Sequence, residues 1–143
     1  MRLVIFGPPG SGKGTYASRL APRLGVPHVS TGDILRDEVK SGSELGRSIS
    51  SYVSSGKLVP DEVVNRVMEK KLSQEDCRRG FILDGYPRTL QQAFFLESFS
   101  KIDFVINLNV PDEVIVRRLS SRLVCRKCGA IYNRITLPPK VEG

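Results

Sequence analysis

Gly7-Pro8-Pro9-Gly10-Ser11-Gly12-Lys13-Gly14-Thr15 follows the apolar residues 3–6 and leads into a helical pattern over 13–24. The Gly-x-x-x-x-Gly-Lys spacing in this context predicts a phosphate-binding loop, because glycines let backbone N–H groups crowd around an anion at a helix N-terminus. Gly14 stands where many such loops place a magnesium-binding Ser or Thr, which leaves direct metal ligation by the loop open. A glycine-rich turn with an incidental lysine is the alternative.

The composition predicts a globular domain rather than a membrane protein. A chain of 143 residues can bury one hydrophobic core. Its longest apolar runs have the length of strands, and Gly7 and Pro8 interrupt the N-terminal run, so we expect neither a membrane span nor a secretory leader. A cytoplasmic location is therefore the expectation.

The net charge indicates which kinds of partner the protein binds, and the number of cysteines indicates its redox compartment. A formal net charge of +7 suits an anion, either a phosphorylated metabolite or a nucleic acid. The basic residues around 117–127 lack interleaved aromatic residues for stacking, which disfavours nucleic acid. Cys77, Cys125 and Cys128 are odd in number, which favours a reducing compartment over a disulfide framework.

Short apolar segments alternate with helical patterns along the chain. Strands are predicted at residues 3–6, 27–30, 81–84 and 104–109. This alternation predicts an α/β fold, a doubly wound parallel sheet with helices on both faces, in which 3–6 and 81–83 occupy central positions. Pro60 and Pro111, each followed by an acidic pair, mark predicted helix starts.

The spacing of the predicted strands indicates an insertion. Roughly fifty residues separate the second and third strands, more than a plain crossover helix requires. Gly42, Gly46 and Gly56 are predicted turn residues within this segment. We therefore predict a core of residues 1–29 and 60–121, an inserted helical lobe over 30–59, and a separate segment over 122–143.

Candidate site residues follow the third predicted strand. Asp84 ends it, and Arg88 comes shortly afterwards. Ligands of open α/β sheets collect at the carboxyl ends of strands, so Asp84 is expected to hold magnesium through water, with helix capping as the alternative. Arginine side chains can bind phosphate through two nitrogens, although a single arginine is usually a surface residue. The further candidates are Arg36, Arg118 and Arg122.

His28 is the only histidine, which disfavours acid–base catalysis by imidazole. Phosphoryl transfer to another phosphate does not need such a base, because the attacking oxygen is already ionised and catalysis depends on positioning and charge neutralisation. We expect His28 to have a structural role.

Four strings in matching order give the chain a resemblance to the adenylate kinase family. They are residues 7–15, 30–36, 56–62 and 80–89, the last accompanied by Gln92. The resemblance implies reversible transfer of the γ-phosphoryl group from magnesium-ATP to AMP, giving two ADP, in nucleotide biosynthesis. Related pyrimidine monophosphate kinases commonly have alanine at the position of Thr31, so Thr31 and Gln92 together favour AMP.

The resemblance also implies residue roles. It implies ATP binding by Gly10, Ser11, Gly12, Lys13, Gly14, Thr15, Arg118 and Arg122. It implies AMP binding by Thr31, Gly32, Arg36, Lys57, Leu58, Val59, Gly85, Arg88 and Gln92. The implied catalytic set is Lys13, Asp84, Arg88, Arg118 and Arg122.

Cys125 and Cys128 form a Cys-x-x-Cys pair in the segment that resembles the family's lid. One such pair is half of a tetrahedral zinc site, and zinc-bearing lids add a second pair further along. The resemblance thus implies structural Zn²⁺ in the intact lid, while a redox motif or two unligated thiols remain alternatives from the pair alone.

The family pattern continues beyond Gly143, so the chain is expected to be an N-terminal portion of an enzyme that is monomeric when intact. Its partners are expected to be ATP, AMP and ADP, without nucleic acid or membrane. A nucleotide-binding fragment with little or no turnover is the main alternative. A zinc-knuckle protein that binds nucleic acid is another, and its binding would weaken steeply with salt.

Overall fold

The computed structural model describes residues 1–140. The main sheet consists of β1 (Arg2–Phe6), β2 (His28–Ser30), β3 (Phe81–Asp84) and β4 (Phe104–Asn107). The α-helices of the described residues are α1 (Lys13–Leu24), α2 (Thr31–Ser41), α3 (Glu44–Ser54), α4 (Asp61–Leu72), α5 (Leu90–Phe99) and α6 (Asp112–Ser120). A 3₁₀ turn spans Glu75–Cys77, and β5 (Arg122–Val124) pairs antiparallel with β6 (Ile131–Asn133).

The chain divides into two compact units. The first contains Met1–Phe6 and Lys13–Asn107, and the second contains Gly7–Gly12 and the residues from Leu108 onward. The first unit therefore carries the main sheet and α1 to α5. The second carries the glycine-rich loop, α6 and the β5–β6 pair.

The main sheet is parallel throughout, in the order β2-β3-β1-β4. The predicted α/β fold is thus confirmed, and β1 and β3 occupy the two central positions. Phe81, Ile82 and Leu83 are each at most 2% exposed, which explains why β3 reads as a continuous apolar run. The ends of three strands differ from prediction, because β1 begins at residue 2, β2 begins at residue 28 and β4 ends at residue 107.

The hydrophobic core of the first unit includes buried side chains of β3 and of the elements packed around it. Its buried members come from β1 to β3, α4, α5 and the segments beside them: Val4, Val29, Val64, Met68, Cys77, Phe81, Leu83, Tyr86 and Leu96. Burial of such side chains stabilises the fold by about 1.5–3 kcal/mol each. The core therefore fixes the carboxyl ends of β2 and β3, where the candidate residues lie.

Both predicted proline-marked helix starts are confirmed. Helix α4 begins directly after Pro60 and α6 directly after Pro111, with two carboxylates in the first turn of each. Carboxylates there interact favourably with the positive end of the helix dipole, and basic residues in the last turn complement the negative end. No helix within residues 1–140 is long and apolar enough to cross a membrane.

The inserted segment between β2 and β3 is helical, but Gly46 was wrongly predicted as a turn residue. Gly46 lies inside α3 and is buried. A Cβ atom there would lie 2.1 Å from the backbone oxygen of Glu38 on α2. The glycine is therefore required by the close approach of two helices, whereas Gly42 does end α2.

Glu38 joins three helices of this segment. Its carboxylate accepts a 2.7 Å hydrogen bond from Ser43 Oγ, the N-cap of α3, and a 3.0 Å hydrogen bond from Lys70 Nζ on α4. The Ser43 hydroxyl first, and then Lys70, lower the pKa of Glu38. This carboxylate thereby anchors the N-terminus of α3.

Candidate active site

The glycine-rich loop of the second unit is tightly wound. Ser11 N donates to Pro8 O at 3.0 Å, and Gly10 and Gly12 have φ angles of 85° and 92°, which glycine adopts readily. Ser11 Oγ is buried without a hydrogen-bond partner in the described part of the chain. The loop backbone is therefore tightly folded, and phosphate binding by this loop stays a prediction.

Arg118 of α6 lies against this loop. Its Nη1 is 3.4 Å from Gly10 O and 3.3 Å from Ser11 O, so a guanidinium group stands beside the loop backbone. Arg122 begins β5, and its exposed side chain makes no hydrogen bond or ion pair to residues 1–140. Of the two arginines expected on the ATP side, only Arg118 is held at the loop.

In the first unit, α1 begins at Lys13, whose half-buried side chain makes no hydrogen bond or ion pair among the described residues. A Cβ atom at Gly14 would lie 3.3 Å from Asp84 Oδ2. The first turn of α1 therefore lies beside the end of β3. Thr15 is exposed, and its carbonyl accepts a hydrogen bond from Ser18 Oγ at 2.9 Å.

Asp84, at the end of β3, contacts the one histidine. Asp84 Oδ2 is 3.1 Å from His28 Nε2, and the two side chains are 12% and 23% exposed. The contact joins β2 to β3 at the edge where ligands of α/β sheets bind. His28 therefore lies at the candidate site, a placement that its position on a predicted strand did not reveal.

Thr31, Gly85 and Arg88 lie together beside Asp84. Thr31 is buried, and its Oγ1 donates to Asp84 O at 3.4 Å. Arg88 Nε donates to Gly85 O at 2.8 Å. Gly85 has a φ of 86°, and a Cβ atom there would lie 3.1 Å from Arg88 Nη2. The arrangement leaves room for the guanidinium of Arg88 to fold back over Gly85.

Gln92 is buried and held at both ends of its amide. Its Oε1 accepts from Arg88 N at 2.7 Å, and its Nε2 donates to Asp61 Oδ1 at 2.8 Å. The other carboxylate oxygen of Asp61 accepts from Thr89 Oγ1 at 2.8 Å. Asp61 therefore belongs to this cluster, although its position after Pro60 in the sequence indicates only a helix start.

The buried side chain of Tyr86 contacts the same segment through its hydroxyl group. Its hydroxyl donates to Asn65 Oδ1 at 2.7 Å and lies 3.3 Å from Gln92 O. Burial, followed by the charges of Asp61 and Glu69, raises the pKa of Tyr86 to about 12. The hydroxyl is therefore neutral at physiological pH and available as a donor.

The remaining AMP candidates are less closely joined to this cluster. Arg36 pairs with Asp33 on the exposed side of α2, and a Cβ atom at Gly32 would lie 3.3 Å from Arg36 Nη1. In the segment before α4, the side chains of Lys57 and Leu58 are exposed, whereas that of Val59 packs against the core. No side-chain hydrogen bond among residues 1–140 connects Arg36 or 57–59 to Thr31 or Arg88.

Cys125 and Cys128 lie in the turn between β5 and β6. Cys125 N donates to Ala130 O at 2.8 Å, and Gly129 N donates to Cys125 O at 2.9 Å. Hydrogen bonds from the backbone N–H groups of Cys128 and Lys127 lower the pKa of the Cys125 thiol. Within residues 1–140, no three His, Cys, Asp or Glu side chains gather as metal ligands, so two thiols are the only candidates in this turn.

A parallel sheet with a glycine-rich loop between β1 and α1, and with aspartate and arginine after β3, defines a phosphate-loop nucleotide-binding protein. The profile of the family described as Adenylate kinase matches residues 5–138. The chain belongs to the adenylate kinase family, which confirms the resemblance seen in its motifs.

Individual relatives agree with the profile. The adenylate kinase of Fervidobacterium nodosum is 53% identical over 148 aligned residues, covering 100% of this chain and 68% of the relative. That of Thermotoga maritima is 56% identical over 146, covering 98% and 66%. That of Caldicellulosiruptor saccharolyticus is 51% identical over 148, covering 100% and 69%. The chain thus spans about two thirds of the length of these relatives.

Proposed function

We propose that this chain serves the reaction of its family, the reversible transfer of the γ-phosphoryl group of magnesium-ATP to AMP to give two ADP. The observation that carries the proposal is the polar cluster of Thr31, Asp84, Gly85 and Arg88, which lies at the carboxyl ends of β2 and β3. Asp84 of that cluster borders the first turn of α1, the helix that follows the phosphate loop. Family membership favours this reaction over simple nucleotide binding.

For ATP, we propose that the backbone of residues 10–15 surrounds the phosphates and that Lys13 neutralises their charge. Lys13 has no competing partner in the described residues. Arg118, already beside the loop, and Arg122 would add positive charge toward the transferred group. Transfer then depends on positioning and charge rather than on a base.

For AMP, we propose that Arg88 and Arg36 bind the phosphate, because guanidinium groups pair with phosphate oxygens through two nitrogens. Thr31 and Gln92 carry both donor and acceptor atoms, which suits the nucleoside. Gly32 and Gly85 would let the ligand approach the backbone closely. The exposed segment 57–59 would contribute backbone groups.

Asp84 fits the magnesium that accompanies ATP. His28 Nε2 contacts its Oδ2, and Oδ1 makes no hydrogen bond to the described residues. A carboxylate with a free oxygen can accept hydrogen bonds from magnesium-bound water, the mode of binding that this hydrated cation favours. Magnesium would neutralise phosphate charge there, and Asp84 would hold its water shell.

We propose structural Zn²⁺ for the intact lid, with Cys125 and Cys128 as two of four ligands. The backbone N–H groups directed at the Cys125 sulfur favour its thiolate form, which is the form that binds metal.

The boundaries of the core, the helical lobe over 30–59 and the lid from 122, the monomeric state and the cytoplasmic location also remain predictions.

The test of function is ADP formation from magnesium-ATP and AMP by the 143-residue chain. Lys13→Ala and Arg88→Ala are expected to lower the rate by roughly a hundredfold or more, since each removes a charge-stabilising group. Arg66→Ala removes an exposed guanidinium from α4 and controls for net charge. Turnover that survives both site substitutions would refute the roles proposed for Lys13 and Arg88. No turnover with AMP binding intact would leave a nucleotide-binding fragment.

A further inference from the structure

Asp61 occupies an unusual position for a first-turn helix residue. Such carboxylates normally face solvent and act through the helix dipole. Asp61 instead uses its two oxygens for two different partners, both of which follow β3 in the chain: Gln92 Nε2 at 2.8 Å and Thr89 Oγ1 at 2.8 Å. Its neighbour Glu62 is exposed and makes no hydrogen bond or ion pair in the described chain.

This contact fixes which way round the Gln92 amide lies. A carboxylate can only accept hydrogen bonds, so the nitrogen of the amide must face Asp61. The backbone N–H of Arg88 can only donate, so the oxygen of the same amide must face Arg88. Because Gln92 is 5% exposed, water cannot readily replace either partner.

The Arg88–Thr89 segment is held by the same carboxylate. Thr89 Oγ1 donates to Asp61 and accepts from Gln92 N at 3.1 Å, which caps α5. Arg88 is linked to Gln92 through its backbone N–H and returns its side chain to Gly85 O. The Asp61 carboxylate on α4 thus holds the side-chain amide of Gln92 and the Arg88–Thr89 turn, both of which include candidate AMP-binding residues.

We propose that Asp61 is a positioning residue for AMP, acting through Gln92, and that it helps to select 6-amino over 6-oxo purines. The inference rests on the proposed function. The held amide keeps one N–H and one oxygen lone pair for a ligand, in a fixed order. That order can match the N6 donor and N1 acceptor of adenine, whereas hypoxanthine presents the reverse pair, an acceptor and a donor.

The test is calorimetric titration of the 143-residue chain with AMP and with IMP. Asp61→Ala is expected to weaken AMP binding about tenfold and to reduce the preference for AMP over IMP, since a buried donor loses its partner. Asp61→Asn should retain affinity within about threefold, because its oxygen can accept from Gln92 while its nitrogen donates to Thr89. Glu62→Gln removes the same charge from the same helix turn and should change neither ligand.

A double-mutant cycle separates positioning from a general structural effect. If Asp61 acts through Gln92, Asp61→Ala in a Gln92→Ala background should change AMP affinity less than about twofold. Asp61→Ser, whose hydroxyl cannot reach both partners, replaces the alanine variant if that variant does not fold. Additive losses, or equal weakening of AMP and IMP binding, would overturn the inference. If the protein without any substitution failed to bind AMP, the proposed function itself would be refuted.

Discussion

Gly85 combines two requirements at a single residue. Its φ of 86° disfavours side chains, and a Cβ atom would lie 3.1 Å from Arg88 Nη2 and 3.7 Å from Thr31 Oγ1. Gly85→Ala is therefore expected to cost about 1 kcal/mol in stability and, because Arg88 must move, to weaken AMP binding about tenfold. Calorimetry and thermal unfolding measure the two effects separately.

Gly25 provides the matched control for this prediction. It also has a positive φ, of 65°, but a Cβ atom there would meet nothing within 4 Å. Gly25→Ala should lower stability by a similar amount and leave AMP affinity unchanged. Equal losses of AMP affinity in the two variants would show that backbone strain, rather than the displacement of Arg88, is responsible.

The raised pKa of Tyr86 predicts that the free energy of unfolding depends on pH. Because its pKa is raised from 10.0 to about 12, its hydroxyl stabilises the folded chain fully below pH 10 and loses that effect as the pH rises toward 12. Tyr86→Phe leaves Asn65 Oδ1 without this donor and should cost about 1–3 kcal/mol at pH 8. Urea unfolding at several pH values should show the gap between the two proteins narrowing above pH 10. A constant gap would contradict the assignment.

At the scale of elements, the packing of α2 against α3 depends on Gly46. An alanine inside a helix normally stabilises it by about 1 kcal/mol over glycine. At Gly46 the added methyl group would lie 2.1 Å from Glu38 O, so Gly46→Ala should instead destabilise the chain by about 1–3 kcal/mol. Thermal unfolding monitored by circular dichroism gives the sign.

Gly32 is the comparison for this change. It also lies within a helix, but the atoms nearest to its added Cβ belong to the far end of the long Arg36 side chain, at 3.3 Å or more. Gly32→Ala should be neutral or stabilising. If both alanine variants were equally stable, the close approach of α2 and α3 would not be a feature of the protein in solution.

The elements were largely predictable from local pattern, and the contacts between distant residues were not. The apolar runs of β1 and β3 and the proline–acid starts of α4 and α6 are local signals, and each was confirmed. Gly46 was misread because a glycine required by helix packing looks like a turn glycine in sequence. The pair of Gln92 and Asp61 joins residues 31 positions apart, and no periodicity encodes such a partner.

At the scale of the whole molecule, protection from solvent is unevenly distributed. Strand β3 is hydrogen-bonded on both edges, by β1 and β2, and its side chains are buried. Strands β5 and β6 form a two-stranded sheet in which Val124 and Ile131 are more than half exposed. A two-stranded sheet of this kind is marginally stable by itself.

Hydrogen exchange in metal-free buffer should therefore separate the two regions. Amides of residues 82–83, which open only when the core unfolds, are expected to exchange at least about a hundredfold more slowly than those of 123–124 and 131–132. Amide exchange followed by NMR gives the rates residue by residue. Added Zn²⁺ should slow exchange in β5 and β6 only if Cys125 and Cys128 hold the metal, and replacing both by serine should abolish that effect. If β3 and β5 exchanged their amide hydrogens equally slowly without metal, packing alone would hold the β5–β6 pair rigid. That result would contradict the prediction, which rests on the high exposure of Val124 and Ile131.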